Sequence, residues 1–212
     1  MFVLDYLSYL LTSFTTIFVI VDPLGNLPMF IALTEPFSSS EREKVSRRST
    51  VLALVILLLI TLTGGFILDF FKVTIEGLKI AGGILLFAIS IDILMGGNRR
   101  ESYVEKGVEN RNVDSLAAFP IALPLYTGPG AITASIVLYS SAESILLKVM
   151  VLVSIVVTYA IVRVTQRYSN YLIRVLGKSG SDIVARVMAI FLAAIGIEYF
   201  FSGLFAKIQS FI

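Results

Sequence analysis

Two short polar stretches interrupt otherwise apolar sequence, Asp22-Pro23-Leu24-Gly25-Asn26 and Thr127-Gly128-Pro129-Gly130-Ala131. Asp, Asn and Thr supply hydrogen-bonding or ionisable groups, and Pro and Gly break the helix that would carry them. Asp22 before Pro23, and Gly128 before Pro129, read as an N-cap followed by the first helical residue. A half-helix starting at such a point leaves orphan N–H groups and a partial positive charge, which attract a carboxylate. Unwound carbonyls nearby can accept from an ammonium group. Glycine at 25, 128 and 130 would let a ligand lie against bare backbone. The chemistry these residues suit is the binding of a small zwitterion. The plainer alternative is that Pro and Gly only kink and pack helices.

Asp22 is the most telling single residue. An ionised Asp at mid-bilayer costs about 2.5–3.5 kcal/mol on insertion scales, so it must face protein or a wet cavity. It can act as a cap, as a ligand for an ammonium group, or as a proton site, since burial favours the neutral form of a carboxyl group. Asp92 and Glu198 are further proton-coupling candidates, placed toward span ends where a carboxylate can also reach the interface. The chain has no His and no Cys. Proton chemistry therefore falls to carboxylates, thiolate metal sites and disulfides are excluded, and no metal or other cofactor is expected.

The elements that must position these groups follow from composition. The 212 residues are 57% hydrophobic and 15% charged, with a mean hydropathy of +0.90. That is a membrane composition, with room for several spans and no sizeable soluble domain. Met1 to Tyr6 carries Asp5 and no Lys or Arg, so the first apolar segment reads as retained rather than as a secretory signal.

Six spans are expected, at about Tyr6–Leu33, Ser49–Phe71, Gly77–Met95, Leu116–Ser141, Ile145–Val164 and Ile183–Ala206. The first and fourth contain the breaks. Ser40 with Glu43, and Ser140 with Glu143, have capping-box spacing before the second and fifth. The polar connections after spans one, three and five, with their flanks, hold 13 of the 17 Lys and Arg residues. The positive-inside bias then puts those connections in the cytoplasm and both termini outside the cell membrane. Tyr6, Tyr9, Tyr139, Tyr168 and Tyr171 lie near the expected interfaces, as aromatic-belt residues do. The basic connections read as a topology signal, and no nucleic-acid partner is expected.

The two breaks share one offset. Pro23 and Pro129 are 106 residues apart, half the chain. At that offset Leu86 meets Leu192, Ala88 meets Ala194, Ile91 meets Ile197, Asp92 meets Glu198 and Gly97 meets Gly203. The fold expected is all-α: one transmembrane domain of two three-helix repeats, about 1–97 and 116–212, joined by a connection of about 98–115. An odd number of spans per repeat inverts one against the other, the plan of many secondary transporters.

The sequence Asp22-Pro-Leu-Gly-Asn-Leu-Pro-Met-Phe-Ile-Ala-Leu-Thr34 resembles the first-helix signature of the MarC family of integral membrane proteins. Pro120-Ile-Ala-Leu-Pro-Leu-Tyr-Thr-Gly-Pro-Gly-Ala-Ile132 resembles its second signature. The resemblance covers the whole chain in length, span number and motif placement. It implies two inverted three-helix repeats and, through the SnatA-type members, proton-linked transport of small neutral amino acids such as glycine and alanine. It carries substrate binding to Asp22, Pro23, Gly25 and Asn26, and to Thr127, Gly128, Pro129, Gly130 and Ala131. Tyr126 and Thr127 depart from the Ala or Leu of many relatives.

Three function classes follow from the residues. A secondary transporter would show saturable counterflow. A passive channel, which two half-helices meeting at the midplane could also build, would conduct without exchange. An intramembrane aspartyl enzyme would need Asp22 and Asp92 at one depth, and their expected depths differ. No Gly-x-x-x-x-Gly-Lys loop is present to drive a nucleotide-dependent pump.

Overall fold

The computed structural model describes residues 2–96 and 112–210. The basic connection carrying Arg99, Arg100, Lys106 and Arg111 lies outside the described residues, as do Gly97 and the last two positions. The described elements are helical: α1 (Phe2–Val21), α2 (Leu27–Thr34), α3 (Ser39–Phe71), α4 (Ile75–Leu94), a short α5 (Val113–Leu116), an irregular segment Ala117–Tyr126, α6 (Pro129–Ser140), α7 (Ile145–Arg167) and α8 (Ser169–Gln209). α3, α4, α7 and the Asp182–Gln209 part of α8 are long and apolar enough to cross a membrane. A fifth crossing results if Val113–Tyr126 and Pro129–Ser140, bent by 59°, are taken as one span. α1 is apolar but shorter than a full span, because Asp22 ends it.

The helix starts differ from those expected. α3 begins after Ser38, whose hydroxyl accepts the Glu41 N–H while the Glu41 carboxylate accepts the Ser38 N–H. The capping box is thus Ser38 with Glu41, not Ser40 with Glu43; of the three consecutive serines Ser38 and Ser40 each meet a Glu three residues on, and the earlier one lets the helix gain two residues. α7 begins after Ser144, which accepts the Leu147 N–H, whereas Ser140 is the last residue of α6. The connection expected from Thr165 to Asp182 is helical on both sides of Tyr168, with a kink at Gly177, where φ is +67°.

The fourth expected span is not a helix with one break. Phe119 and Leu123 inside it are extended, at φ −138° and −126°. Each precedes a proline, and the proline ring disfavours helical backbone in the residue before it. Regular helix resumes only at Pro129.

α4 packs along α8 in the most extensive pairing of the bundle. Close approach requires glycine there: a Cβ on Gly83 would lie 2.5 Å from the Gly196 carbonyl oxygen, and one on Gly196 2.8 Å from the Gly83 oxygen. Small residues at such a seam are how apolar helices pack without a hydrophobic drive between them. α1 lies on α7, α6 lies on α3, and α3 also contacts α7. The core runs through Ile17, Phe30, Leu57, Ile121, Tyr126 and Ile155. Leu11, Leu59, Phe66, Ile84, Val156 and Phe205 project outward, as residues facing lipid would.

Candidate functional site

The first break is a tight loop closing the end of α1. The Asp22 N–H still bonds the Phe18 carbonyl at 2.9 Å, but Asp22 itself turns left-handed, at φ +48°. Asp is among the few residues that tolerate this region. Its Oδ1 accepts the Gly25 N–H at 2.9 Å, and its carbonyl accepts the Asn26 N–H at 3.1 Å. Asp22 is therefore the turn residue after α1, not the N-cap of the following helix. That helix, α2, starts after Asn26 with Pro28 in its first turn. Asn26 in turn donates its side-chain amide to the Val21 carbonyl at 3.0 Å, satisfying a group left open at the end of α1.

At the second break the expected start holds. Gly128 is the N-cap of α6 and Pro129 its first residue. A Cβ on Gly128 would stand 2.8 Å from the Pro124 carbonyl oxygen, so the irregular segment can fold this tightly against the helix start only with glycine there. The first N–H groups of α6, at Gly130 and Ala131, have no acceptor within their own helix.

These two breaks line one cavity of about 170 Å³. Asp22 and Asn26 come to it from the first break, and Gly128, Pro129, Gly130 and Ala131 from the second. Asp92 reaches it from the end of α4. The remaining wall is apolar, with Val19, Met29, Leu86, Leu125, Met188 and Leu192 among its members. Two of these pairs, Leu86 with Leu192 and Val19 with Leu125, stand at the 106-residue offset. Among the described residues the lining carries two carboxylates and no Lys or Arg. The lining thus combines carboxylates with the positive end of α6, a pairing that suits an ammonium and a carboxylate on one small molecule.

Not all of the expected residues reach the cavity. Pro23 and Gly25 are buried but lie outside its lining. Gly25 instead supplies the N–H that holds Asp22, and a Cβ there would overlap the Asp22 carboxylate. Thr127 is also turned away: its Oγ1 donates to the Ala53 carbonyl at 3.1 Å and lies 2.7 Å from the Tyr159 hydroxyl, which bonds the Tyr126 carbonyl at 3.0 Å. Thr127 pins the second break to α3 and α7. Glu198 is exposed and away from the cavity, although its counterpart Asp92 lines it. The α4–α8 seam turns one acid of the pair inward and the other outward.

The apolar wall was missed by sequence reasoning except through the repeat, which had already paired Leu86 with Leu192. Pro124 had a signal of its own, since Pro120 and Pro124 exclude a regular helix before Thr127. Tyr9, expected in the aromatic belt, instead donates to the Leu138 carbonyl at 2.7 Å and ties α1 to α6.

Long apolar helices with outward-facing aliphatic side chains, folded around two polar backbone breaks, define an integral membrane protein. The chain belongs to the MarC family: the model of the MarC family integral membrane proteins matches residues 7–208. A UPF0056 membrane protein of Archaeoglobus fulgidus is 58% identical over 97% of this chain and 96% of its own length. One from Methanocaldococcus jannaschii is 35% identical over 93% of this chain and 97% of its own. The UPF0056 membrane protein YhcE of Escherichia coli K12 is 32% identical over 90% and 89%. No solved structure matches the chain.

Proposed function

We propose that this protein is a secondary transporter of small neutral amino acids such as glycine and alanine, coupled to protons and working by alternating access. The observation that carries the reading is that two breaks half a chain apart line one small cavity whose lining holds both carboxylates and a helix start. The size of the cavity favours ligands of few heavy atoms. Asp22 and Asp92 are the acids placed to exchange a proton as the substrate binds; the exposed Glu198 is not.

Six crossings result if α1 with α2 forms one broken span and Val113–Ser140 another. Helix pairing supports two inverted repeats. α1 against α7 has its counterpart in the Ala117–Tyr126 segment against α3, while α4–α8 and α3–α7 each join an element to its own equivalent. Both termini then face outside the cell membrane and the basic connections face the cytoplasm. Besides the breaks themselves, Met29 of α2, the end of α4 and the early part of the last span wall the cavity, which supports a position on the cytoplasmic side of the breaks.

Accumulation of labelled glycine in proteoliposomes under an imposed pH gradient tests the coupled reading. Uptake that follows the gradient and collapses with a protonophore is expected; uptake indifferent to the gradient would remove the proton.

A further inference from the structure

On the other side of the breaks α1 carries a buried face of hydroxyls. Tyr9, Ser13 and Thr16 follow one another at helical spacing, and the same face continues to Ile20, which lines the cavity. Ser13 is fully buried and its hydroxyl has no partner. Tyr199 of α8, which approaches Tyr9 across the packed helices, likewise has a buried hydroxyl without a partner.

Among the described residues Arg42, Tyr126, Thr158 and Gln166 also hold a buried atom without a hydrogen-bond partner, but none of these lies on α1 or α8. Thr34, Thr61 and Ser154 are also buried, and each donates to the carbonyl four residues back, at 2.7, 2.6 and 2.8 Å. Buried polar groups are normally satisfied, so orphans call for an explanation. In Thr34, Thr61 and Ser154 the hydroxyl serves its own packed helix through a backbone acceptor. Hydroxyls that serve a passing solute or water must keep their hydrogen-bonding capacity in reserve. The one satisfied member is Tyr9, and its acceptor, the Leu138 carbonyl, belongs to the helix that starts at the second break.

We propose that the Tyr9–Ser13–Thr16 face, with Tyr199 opposite, is the closed half of the translocation path on the side of the chain termini, latched by the Tyr9–Leu138 hydrogen bond. The proposal rests on the transport reading above. Separating α1 from α6 would break the latch and open the hydroxyl face to water and to a small polar solute leaving the cavity. Removing the latch hydroxyl favours the open form without altering the site itself.

The absence of native cysteine makes this measurable, since Ser13→Cys introduces the sole thiol. A small membrane-impermeant methanethiosulfonate is added to either face of sealed vesicles and the rate of modification followed. Modification of Ser13→Cys from the terminal face is expected to be slow. Adding Tyr9→Phe, which keeps the ring, should speed it about three- to tenfold, the effect of one hydrogen bond on a two-state equilibrium. Modification should also block alanine counterflow. Thr16→Cys serves as reporter if Ser13→Cys fails to insert. Equal rates with and without Tyr9→Phe, faster reaction from the opposite face, or counterflow untouched by complete modification would overturn the proposal. Absent counterflow in the unmodified parent, with Tyr9→Phe still accelerating the reaction, would instead strike the transport reading and leave the latch standing.

Discussion

The Gly25 N–H and the Asp22 carboxylate are joined at 2.9 Å, so the residue that makes the first break also holds its own side chain against the cavity. A carboxylate accepting a backbone N–H is pre-aimed. It need not be reoriented when a ligand arrives, and aiming by the backbone is sensitive to what stands at position 25.

Gly25→Ala is therefore expected to weaken substrate binding while leaving insertion intact. The new methyl would overlap the Asp22 carboxylate and push it off the amide. Loss of one charge-assisted hydrogen bond is worth roughly 1.5–3 kcal/mol, which corresponds to about a 10- to 150-fold drop in substrate affinity. Counterflow on protein shown by gel filtration to be folded checks this. Unchanged affinity would mean that Asp22 does not touch substrate.

Asp22→Asn separates the turn from the charge. Asn tolerates the left-handed region and can accept the Gly25 N–H, but cannot ionise. The variant should exchange labelled alanine and fail to concentrate it under a pH gradient. Retained accumulation would move the coupled proton to Asp92.

Gly130→Ala probes substrate size. Its Cβ would stand 2.6 Å from the Leu86 Cδ2, so the leucine must shift, and both positions line the cavity. Alanine transport should fall several-fold more than glycine transport, read as the ratio of their competing uptake rates. An equal fall for both would return Gly130 to helix packing.

Thr127→Val should act on stability rather than selection. It removes the hydroxyl that bonds the Ala53 carbonyl and meets Tyr159, taking the second break's side-chain tether out of a buried network. The expected cost is about 1–3 kcal/mol, seen as a fall of several degrees in the melting temperature in detergent. Tyr159→Phe should do likewise, and the double variant should lose less than the sum, because the two side chains share one network. The glycine-to-alanine preference should not move.

The breaks were legible because Pro and Gly in mid-span have few other meanings, and the offset of 106 tied them together before any geometry. The roles within each break were not. A dipeptide Asp22-Pro23 has the spacing of a helix start, yet here the cost of ending α1 decided the backbone, and Asp22 became a left-handed turn while Pro23 turned away from the cavity. Thr127 has the chemistry of a ligand, and only its neighbours Ala53 and Tyr159, 74 and 32 residues away in sequence, reveal that it is a tether. Asp92 and Glu198 match at the offset but part company at the α4–α8 seam, because which side of a helix faces the interior depends on glycines that set the rotation of the pair. The irregular run before Tyr126 was readable from Pro120 and Pro124, whose effect falls on the preceding residue.

The claim that the two breaks form one amino-acid site is tested most directly by counterflow. Purified protein is reconstituted into liposomes loaded with unlabelled alanine, and entry of trace labelled alanine is followed against a panel of external competitors. The account predicts a saturable overshoot, competed by glycine and alanine and not by bulky or charged amino acids, and shifted to at least about tenfold higher alanine concentration by Gly25→Ala. Entry that does not saturate, or that is indifferent to internal alanine while the protein is folded and inserted, would contradict it.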